Sequence, residues 1–363
     1  MLKRILILLF ILLIFYVGNA FLDPFPIVNS PLGFRPNYGF SYSFEQANWY
    51  GYDPKKELLF LFENYKFSWV RLPFFWDQMT DKEGNLKIDD LSFAISEARK
   101  RNIKVIIALG AKTPYYPEYH LPEVERAKVR FGDTIDLYHP IARDILAVDE
   151  KLVKALSGFD NISYWQVENE PFLANVDNIK IGRDLLAQEV NVVRANDPLG
   201  RPIILNSVAP AAFNSSWKDL FKILKPGDVF GVNAYFKTQG VNLFAFSFLG
   251  KNIKVPWPKF LAWPVQSWYG LSADFSKLKK YTNSYGIDFW VLEAQSEPYI
   301  RTFDDAKKEN YKYAFSVGDI DMANKFLESY HISDVGLWGA NFWLFRNSIG
   351  DYSWTNKVRE IVN

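Results

Sequence analysis

From Gly39 onward the chain alternates short apolar runs with longer stretches whose apolar residues return every three or four positions. The short runs read as eight strands: Gly39–Tyr42, Trp69–Leu72, Val105–Leu109, Tyr164–Asn169, Pro202–Leu205, Val229–Asn233, Phe289–Leu292 and Gly336–Trp343. Between them, Leu58, Leu61, Phe62 and Tyr65 share one helical face, as do Leu91, Ala94, Ile95 and Ala98, and again Ala323, Phe326, Leu327 and Tyr330. Leu186, Val190 and Val193 mark a further helix, stopped by Asn196-Asp197-Pro198. The strands show little polar alternation, as expected of a parallel sheet covered on both faces. Strands alternating with helices call for right-handed crossovers. Eight such units over roughly 325 residues fit a single (β/α)8 barrel. The rival, an open doubly wound sheet, would carry a G-x-G-x-x-G turn after an early strand, and the chain has none.

No internal boundary interrupts residues 39–363, which read as one barrel domain after an extended, Pro- and Gly-rich lead-in over 21–38. Two connections are long and aromatic. The one after strand three, Gly110 to Tyr138, holds Tyr115, Tyr116, Tyr119 and His120. The one after strand six, Phe236 to Leu271, holds Phe244, Phe246, Trp257, Trp263, Trp268 and Tyr269. Loops at the C-terminal ends of barrel strands are where function sits.

Residues 1–20 carry an export signal: Lys3 and Arg4, an apolar run from Ile5 to Val17, then Gly18-Asn19-Ala20. The segment reads as a secretory leader cleaved after Ala20, or as an N-terminal membrane anchor; either places the barrel outside the cytoplasm. A formal net charge of +1 offers no field for nucleic acid. The 363 residues include no cysteine and three histidines, His120, His139 and His331, at no metal-binding spacing. Thiolate chemistry and cysteine-based metal sites are excluded, and no metal or organic cofactor is expected.

The polar residues at strand ends narrow the chemistry. A barrel gathers on one rim Arg71 (strand two), Asn169 and Glu170 (strand four), Asn233 and Tyr235 (strand six), Glu293 (strand seven) and Asn341 with Trp343 (strand eight). Two carboxyls facing each other across such a mouth are the minimum equipment for cleaving a glycosidic bond. Arg71 and Tyr235 are placed to donate to the attacking carboxylate, and Trp343 to offer a sugar ring a flat face. Each has a structural alternative: Arg71 as an ion-pair partner, Trp343 and Tyr235 as core, Glu168 as a buried structural carboxylate. Glu297 lies in the loop beyond Glu293, as a sugar-binding or supporting group.

In these residues the chain resembles the superfamily of retaining (β/α)8 glycoside hydrolases that includes cellulases, mannanases and β-galactosidases. Asn169-Glu170-Pro171 matches its strand-four motif, and the resemblance spans Gly39 to Asn363. It implies Asn169 on the sugar 2-hydroxyl, Glu170 as acid/base and Glu293 as nucleophile, with Arg71, Tyr235 and Trp343 at the family's strand-two, strand-six and strand-eight positions. The pattern departs at strand three, where Gly110-Ala111-Lys112 replaces a common His, and at strand six, where Asn233-Ala234-Tyr235 replaces His-x-Tyr. The implied partner is an oligo- or polysaccharide, and the implied activity is hydrolysis of β-linked glycans. A non-catalytic cell-surface glycan-binding barrel and a transglycosylase using the same residues are the alternatives.

Overall fold

The computed structural model describes residues 33–174, 177–209, 216–236, 242–248, 251–256, 274–298, 300, 303–308 and 315–363. Eight strands form the closed barrel: β1 Asn37–Ser41, β2 Trp69–Pro73, β3 Lys104–Leu109, β4 Ile162–Val167, β5 Ile203–Val208, β6 Val229–Ala234, β7 Asp288–Gln295 and β8 Asp334–Trp338. All neighbours pair in parallel, and β1 closes the ring against β8. The helices outside it include α1 Phe44–Tyr50, α2 Pro54–Asn64, α3 Asp89–Lys100, α4 Ala142–Leu156, α5 Arg183–Asn196, α6 Phe275–Asn283, α7 Val317–Glu328, α8 Ala340–Ser348 and α9 Ser353–Val362. The expected (β/α)8 barrel is what the chain forms.

The export leader lies outside the described residues, as do Trp257, Trp263, Trp268 and Tyr269 of the second aromatic loop. Within that loop, Asn242–Phe248 and Lys251–Pro256 pair as antiparallel strands.

Local chemistry accounts for the helices. The stripes Leu58/Leu61/Phe62, Leu91/Ala94/Ile95/Ala98, Leu186/Val190/Val193 and Ala323/Phe326/Leu327 are buried against the barrel. Asp53 caps α2, accepting from the N–H groups of Lys55 and Lys56, with Pro54 opening the helix. Ser316 and Asp319 form a capping box on α7.

Inside the barrel a separate apolar plug forms from Trp69, Ile106, Ile204, Val229, Trp290 and Leu292. Trp69 and Trp290 stack at 6.0 Å, and Tyr164 meets Trp290 edge-on at 4.8 Å. Two large indoles fit because the strands flanking β2 and β7 carry glycine at the same level. A Cβ on Gly39 would lie 2.0 Å from the Trp69 ring, and one on Gly336 would lie 2.3 Å from the Leu292 carbonyl oxygen. The C-terminal rim above this plug is polar.

Of the strand boundaries that differ from expectation, three have a physical reason that bears on the rim. The run Gly336–Trp343 is not one strand: β8 ends at Trp338, Gly339 turns the chain at φ 145°, and α8 begins at Ala340. Strand four ends at Val167, because Glu168 and Glu170 both take left-handed backbone, at φ 58° and 49°. Strand seven runs past Leu292 to Gln295 through a register shift.

Gly336→Ala is expected to lower unfolding free energy by at least ~1–3 kcal/mol, the usual penalty of overpacking. Gly158→Ala, where a Cβ meets nothing within 4 Å, is expected to be near neutral. Denaturant titration of the two variants checks the contrast.

Candidate active site

Period two along the barrel strands sends alternate side chains inward, apolar at the plug and polar one step higher. On β2 the inward pair is Trp69 then Arg71, on β4 Tyr164 then Gln166, and on β5 Ile204 then Asn206. β6 brings Asn233 inward, with Tyr235 just beyond the strand. β7 would break the rule without a correction. Trp290 and Leu292 belong to the plug and Val291 to the outer core, so strict alternation would turn Glu293 outward. Instead the register slips: Val291 pairs with Val232, but Glu293 pairs with the very next residue, Asn233. On the other side Val291 pairs with Val335 while Ala294 pairs with Leu337. This bulge swings Glu293 into the mouth and returns Ala294 to the outer core.

There Glu293 accepts from both sides. Arg71 Nη2 donates to Oε1 at 2.5 Å, and Tyr235 Oη donates to Oε2 at 2.6 Å. Arg71 has no solvent contact, and its other donors go to Ser41 Oγ at 2.8 Å and Gln166 Oε1 at 3.2 Å. From Gln166 an amide network crosses the barrel. Gln166 Nε2 donates to Asn206 Oδ1 and Asn169 Oδ1, each at 3.3 Å. Asn206 Nδ2 donates to Asn169 Oδ1 at 2.8 Å and to Asn233 Oδ1 at 3.2 Å. Asn233 Nδ2 then donates to Glu170 Oε1 at 2.8 Å. The residue that pairs with Glu293 in the sheet is thus the one that holds Glu170.

Glu170 is also tethered through its backbone, its N–H donating to Asn206 Oδ1 at 2.9 Å. Burial pushes its carboxyl up to about 7, aided by the charges of Glu293 and Glu118 and opposed by Lys112 and the Asn233 hydrogen bond. Because β4 has already ended, period two does not relate Glu168 to Glu170. Glu170 faces Asn233, whereas Glu168 turns back onto the Gly110–Lys112 turn and accepts from its backbone. The Oδ1 of Asn169 accepts twice, which leaves its NH2 as the end without a partner among the described residues.

An aromatic wall adjoins the carboxyls. The half-buried Trp338 ring lies 5.7 Å from the Arg71 guanidinium carbon and 4.5 Å from the Tyr115 ring. Tyr115 donates to Asn341 Oδ1 at 3.2 Å. Glu297 joins this group: its carboxyl is pushed up to about 8 by burial and by the charge of Glu293.

Arg71, Asn169, Glu170, Tyr235, Glu293 and Glu297 therefore gather at one rim. Trp343 does not. It lies on α8, fully buried, with Nε1 donating to the Ser296 carbonyl at 2.7 Å. The indole at the rim is that of Trp338, five residues earlier, because Gly339 cuts the apolar run between the two tryptophans. Asn341, also on α8, braces α1 through Ser43: Nδ2 donates to the Ser43 carbonyl at 2.8 Å. Sequence reasoning passed over Trp338, Gln166, Asn206 and Lys112. The glycine after Trp338 was the available signal; the amides carry none, since a polar residue inside a strand run looks like any other.

Raised carboxyls make folding depend on pH, and three of them have values in the neutral range. Glu168 and Glu170 stand at about 7 and Glu297 at about 8, all above their unfolded values. The folded state therefore binds more protons, and stability is lost as pH rises through these values. The melting temperature is expected to be higher near pH ~5 than near pH ~8.5, and calorimetry across that window checks it.

A family model described as Cellulase (glycosyl hydrolase family 5) matches residues 34–240, more than half of the chain. A comparison with curated protein sequences returned no match. Among solved structures, GH5_18 from Streptomyces cattleya in complex with GlcNAc aligns with a TM-score of 0.55 at 12% identity, over 84% of this chain and 70% of that one. A glycoside hydrolase family 5 enzyme from Prevotella bryantii B14, a point mutant in complex with a xyloglucan tetradecasaccharide, aligns with a TM-score of 0.53 at 14% identity, over 92% of this chain and 94% of that one. A β-galactosidase from the haloarchaeon Halorubrum lacusprofundi has a TM-score of 0.49 at 12% identity; the alignment covers 83% of this chain and 52% of that one. The likenesses to the two family 5 structures are of fold, and the family match is of sequence. The chain belongs to glycosyl hydrolase family 5, the cellulase family.

Proposed function

We propose that the chain is a retaining glycoside hydrolase that cleaves β-linked glycans by double displacement. The observation that carries this reading is the unlike setting of two carboxyls at one rim. Glu293 receives Arg71 and Tyr235, while Glu170 is buried with one amide donor and its carboxyl pushed up to about 7. One acid held protonated near neutral pH and one saturated with donors is the division of labour this reaction needs.

Glu293 attacks the anomeric carbon as Glu170 passes its proton to the departing glycosidic oxygen. The C–O bond to the leaving group breaks and a glycosyl ester on Glu293 forms. Glu170, now a carboxylate, takes a proton from water; the hydroxide attacks the same carbon, and Glu293 leaves as carboxylate. Asn169 offers its NH2 to the sugar 2-hydroxyl, Trp338 supports the ring, and Glu297, protonated near neutrality, donates to a further hydroxyl. The leader over residues 1–20 would place this activity outside the cytoplasm. A glycan-binding barrel without turnover would have no use for two carboxyls kept in opposite electrostatic settings.

With an aryl β-glycoside followed by proton NMR, the first sugar released is expected to be the β-anomer; an α-anomer appearing first overturns retention. The rate is expected to fall above pH ~7, as Glu170 loses the proton it must deliver. Glu293→Gln is expected to reduce kcat/KM at least ~1000-fold. It is also expected to destabilise the fold by ~3–5 kcal/mol, because Arg71 would be left buried without its anion. Glu170→Gln, which mimics the protonated acid, is expected to lose activity without that loss of stability. Paired kinetics and denaturant titrations separate the two effects.

A further inference from the structure

Three carboxyls lie behind the mouth and have no part in this chemistry: Glu168 after β4, Asp149 on α4 and Glu189 on α5, each without solvent contact. Glu168 folds the β3 exit onto itself. Its Oε1 accepts from the Ala111 N–H at 2.8 Å and its Oε2 from the Lys112 N–H at 2.6 Å. Gly110, at φ +112°, lets the backbone come this close; a Cβ there would sit 2.6 Å from the Glu168 carboxyl carbon.

Asp149 and Glu189 are different. Among the described residues no nitrogen or hydroxyl donor reaches either oxygen of either group. Their neighbours are carboxyls: Glu189 lies in side-chain hydrogen-bonding range of both Glu168 and Asp149. Two carboxylates repel, and neither can donate; a carboxyl–carboxyl contact bonds only when one partner keeps its proton. Burial pushes Asp149 and Glu189 far up, while Glu168, supported by Glu189 and two backbone N–H groups, stands at about 7. Lys112 also faces Glu168, and Tyr119 lies within the field of Glu168, Glu118 and Glu189.

The group connects to Glu170 through Lys112. The Lys112 carbonyl accepts from the Asn169 N–H at 2.6 Å. Its Nζ, fully buried, donates to the carbonyls of Glu170 and Leu173, each at 2.9 Å. The left-handed backbone at Glu168 and Glu170 persists only where surroundings over-determine it. We propose that Asp149, Glu189 and Glu168 form one hydrogen-bonded chain of carboxyls, with Glu189 donating to Glu168, and that this chain is a positioning unit that sets Glu170 against the leaving oxygen. The inference rests on Glu170 being the acid/base.

Two substrates test it: a β-glycoside with an alkyl leaving group, which needs the acid, and a 2,4-dinitrophenyl β-glycoside, which does not. In Glu168→Gln, one backbone N–H would face an NH2 instead of an oxygen. Its kcat/KM is expected to fall at least ~10-fold on the alkyl substrate and under ~2-fold on the activated one, part of the ~10²–10⁴ that general acid catalysis supplies. Equal falls on both, or none, overturn the positioning role. Glu189→Gln keeps a neutral donor and should retain the leaving-group dependence of the wild type, whereas Glu189→Leu should behave like Glu168→Gln. If the Gln and Leu variants are alike, the donor role is wrong. Infrared spectroscopy decides independently of turnover and of whether the Leu variant folds. The wild type at neutral pH should show a protonated-carboxyl stretch that Glu189→Gln diminishes, and its absence from the wild type overturns the chain. A wild type inactive on both substrates defeats the hydrolase reading, and the infrared result still stands or falls alone.

Discussion

The mouth of the barrel is organised by Arg71. A guanidinium cannot give up its charge, and this one has no solvent contact, so an anion must lie within reach. Glu293 is that anion, 2.5 Å away on the far side of the ring of strands. The bulge in β7 exists to deliver it, since without the slipped register the carboxyl would face the helices and Arg71 would be left alone. The remaining Arg71 donors need acceptors too, and Ser41 and Gln166 supply them. Gln166 begins the amide network that ends on Glu170. A single buried charge thus fixes one carboxyl directly and the other through three amides, Gln166, Asn206 and Asn233.

Burial acts differently on each carboxyl in the region, and the difference lies in the donors. Glu293 has a cation and a phenol. Glu168 has two backbone N–H groups. Glu170 has one amide, and among the described residues no nitrogen or hydroxyl donor reaches Asp149 or Glu189. Desolvation alone favours the neutral acid. The number and charge of donors decide how far that tendency goes, so the sequence letters Glu and Asp say little about which group holds a proton.

Much of the fold was legible because apolar periodicity survives in one dimension. The eight strands and the buried helical stripes follow from spacing, and Arg71, Tyr235 and Glu293 stand out because each sits at or near the end of an apolar run. Besides the barrel amides, three features were not legible. The β7 bulge has no local signal: Leu292-Glu293-Ala294 reads as plain strand, and the slip is visible only against β6 and β8. Trp338 and Trp343 both punctuate one apolar run, and choosing between them needed the turn at Gly339. Asp149 and Glu189 occupy amphipathic helices, where a carboxyl ordinarily faces water; their burial depends on α4 packing against α5, which packs on β4.

The plug below the mouth is part of the same arrangement. Trp69 and Arg71 lie two residues apart on β2, and Trp290 and Glu293 three apart on β7, so apolar floor and charged layer share strands. A slip by one residue would exchange them, sending Arg71 into the helix layer and an apolar side chain into the mouth. The glycines at 39 and 336 guard against that slip, because only the present register sets them opposite the Trp69 indole. Packing at the plug and electrostatics at the rim are therefore one constraint on register, set by the two residues that separate Trp69 from Arg71.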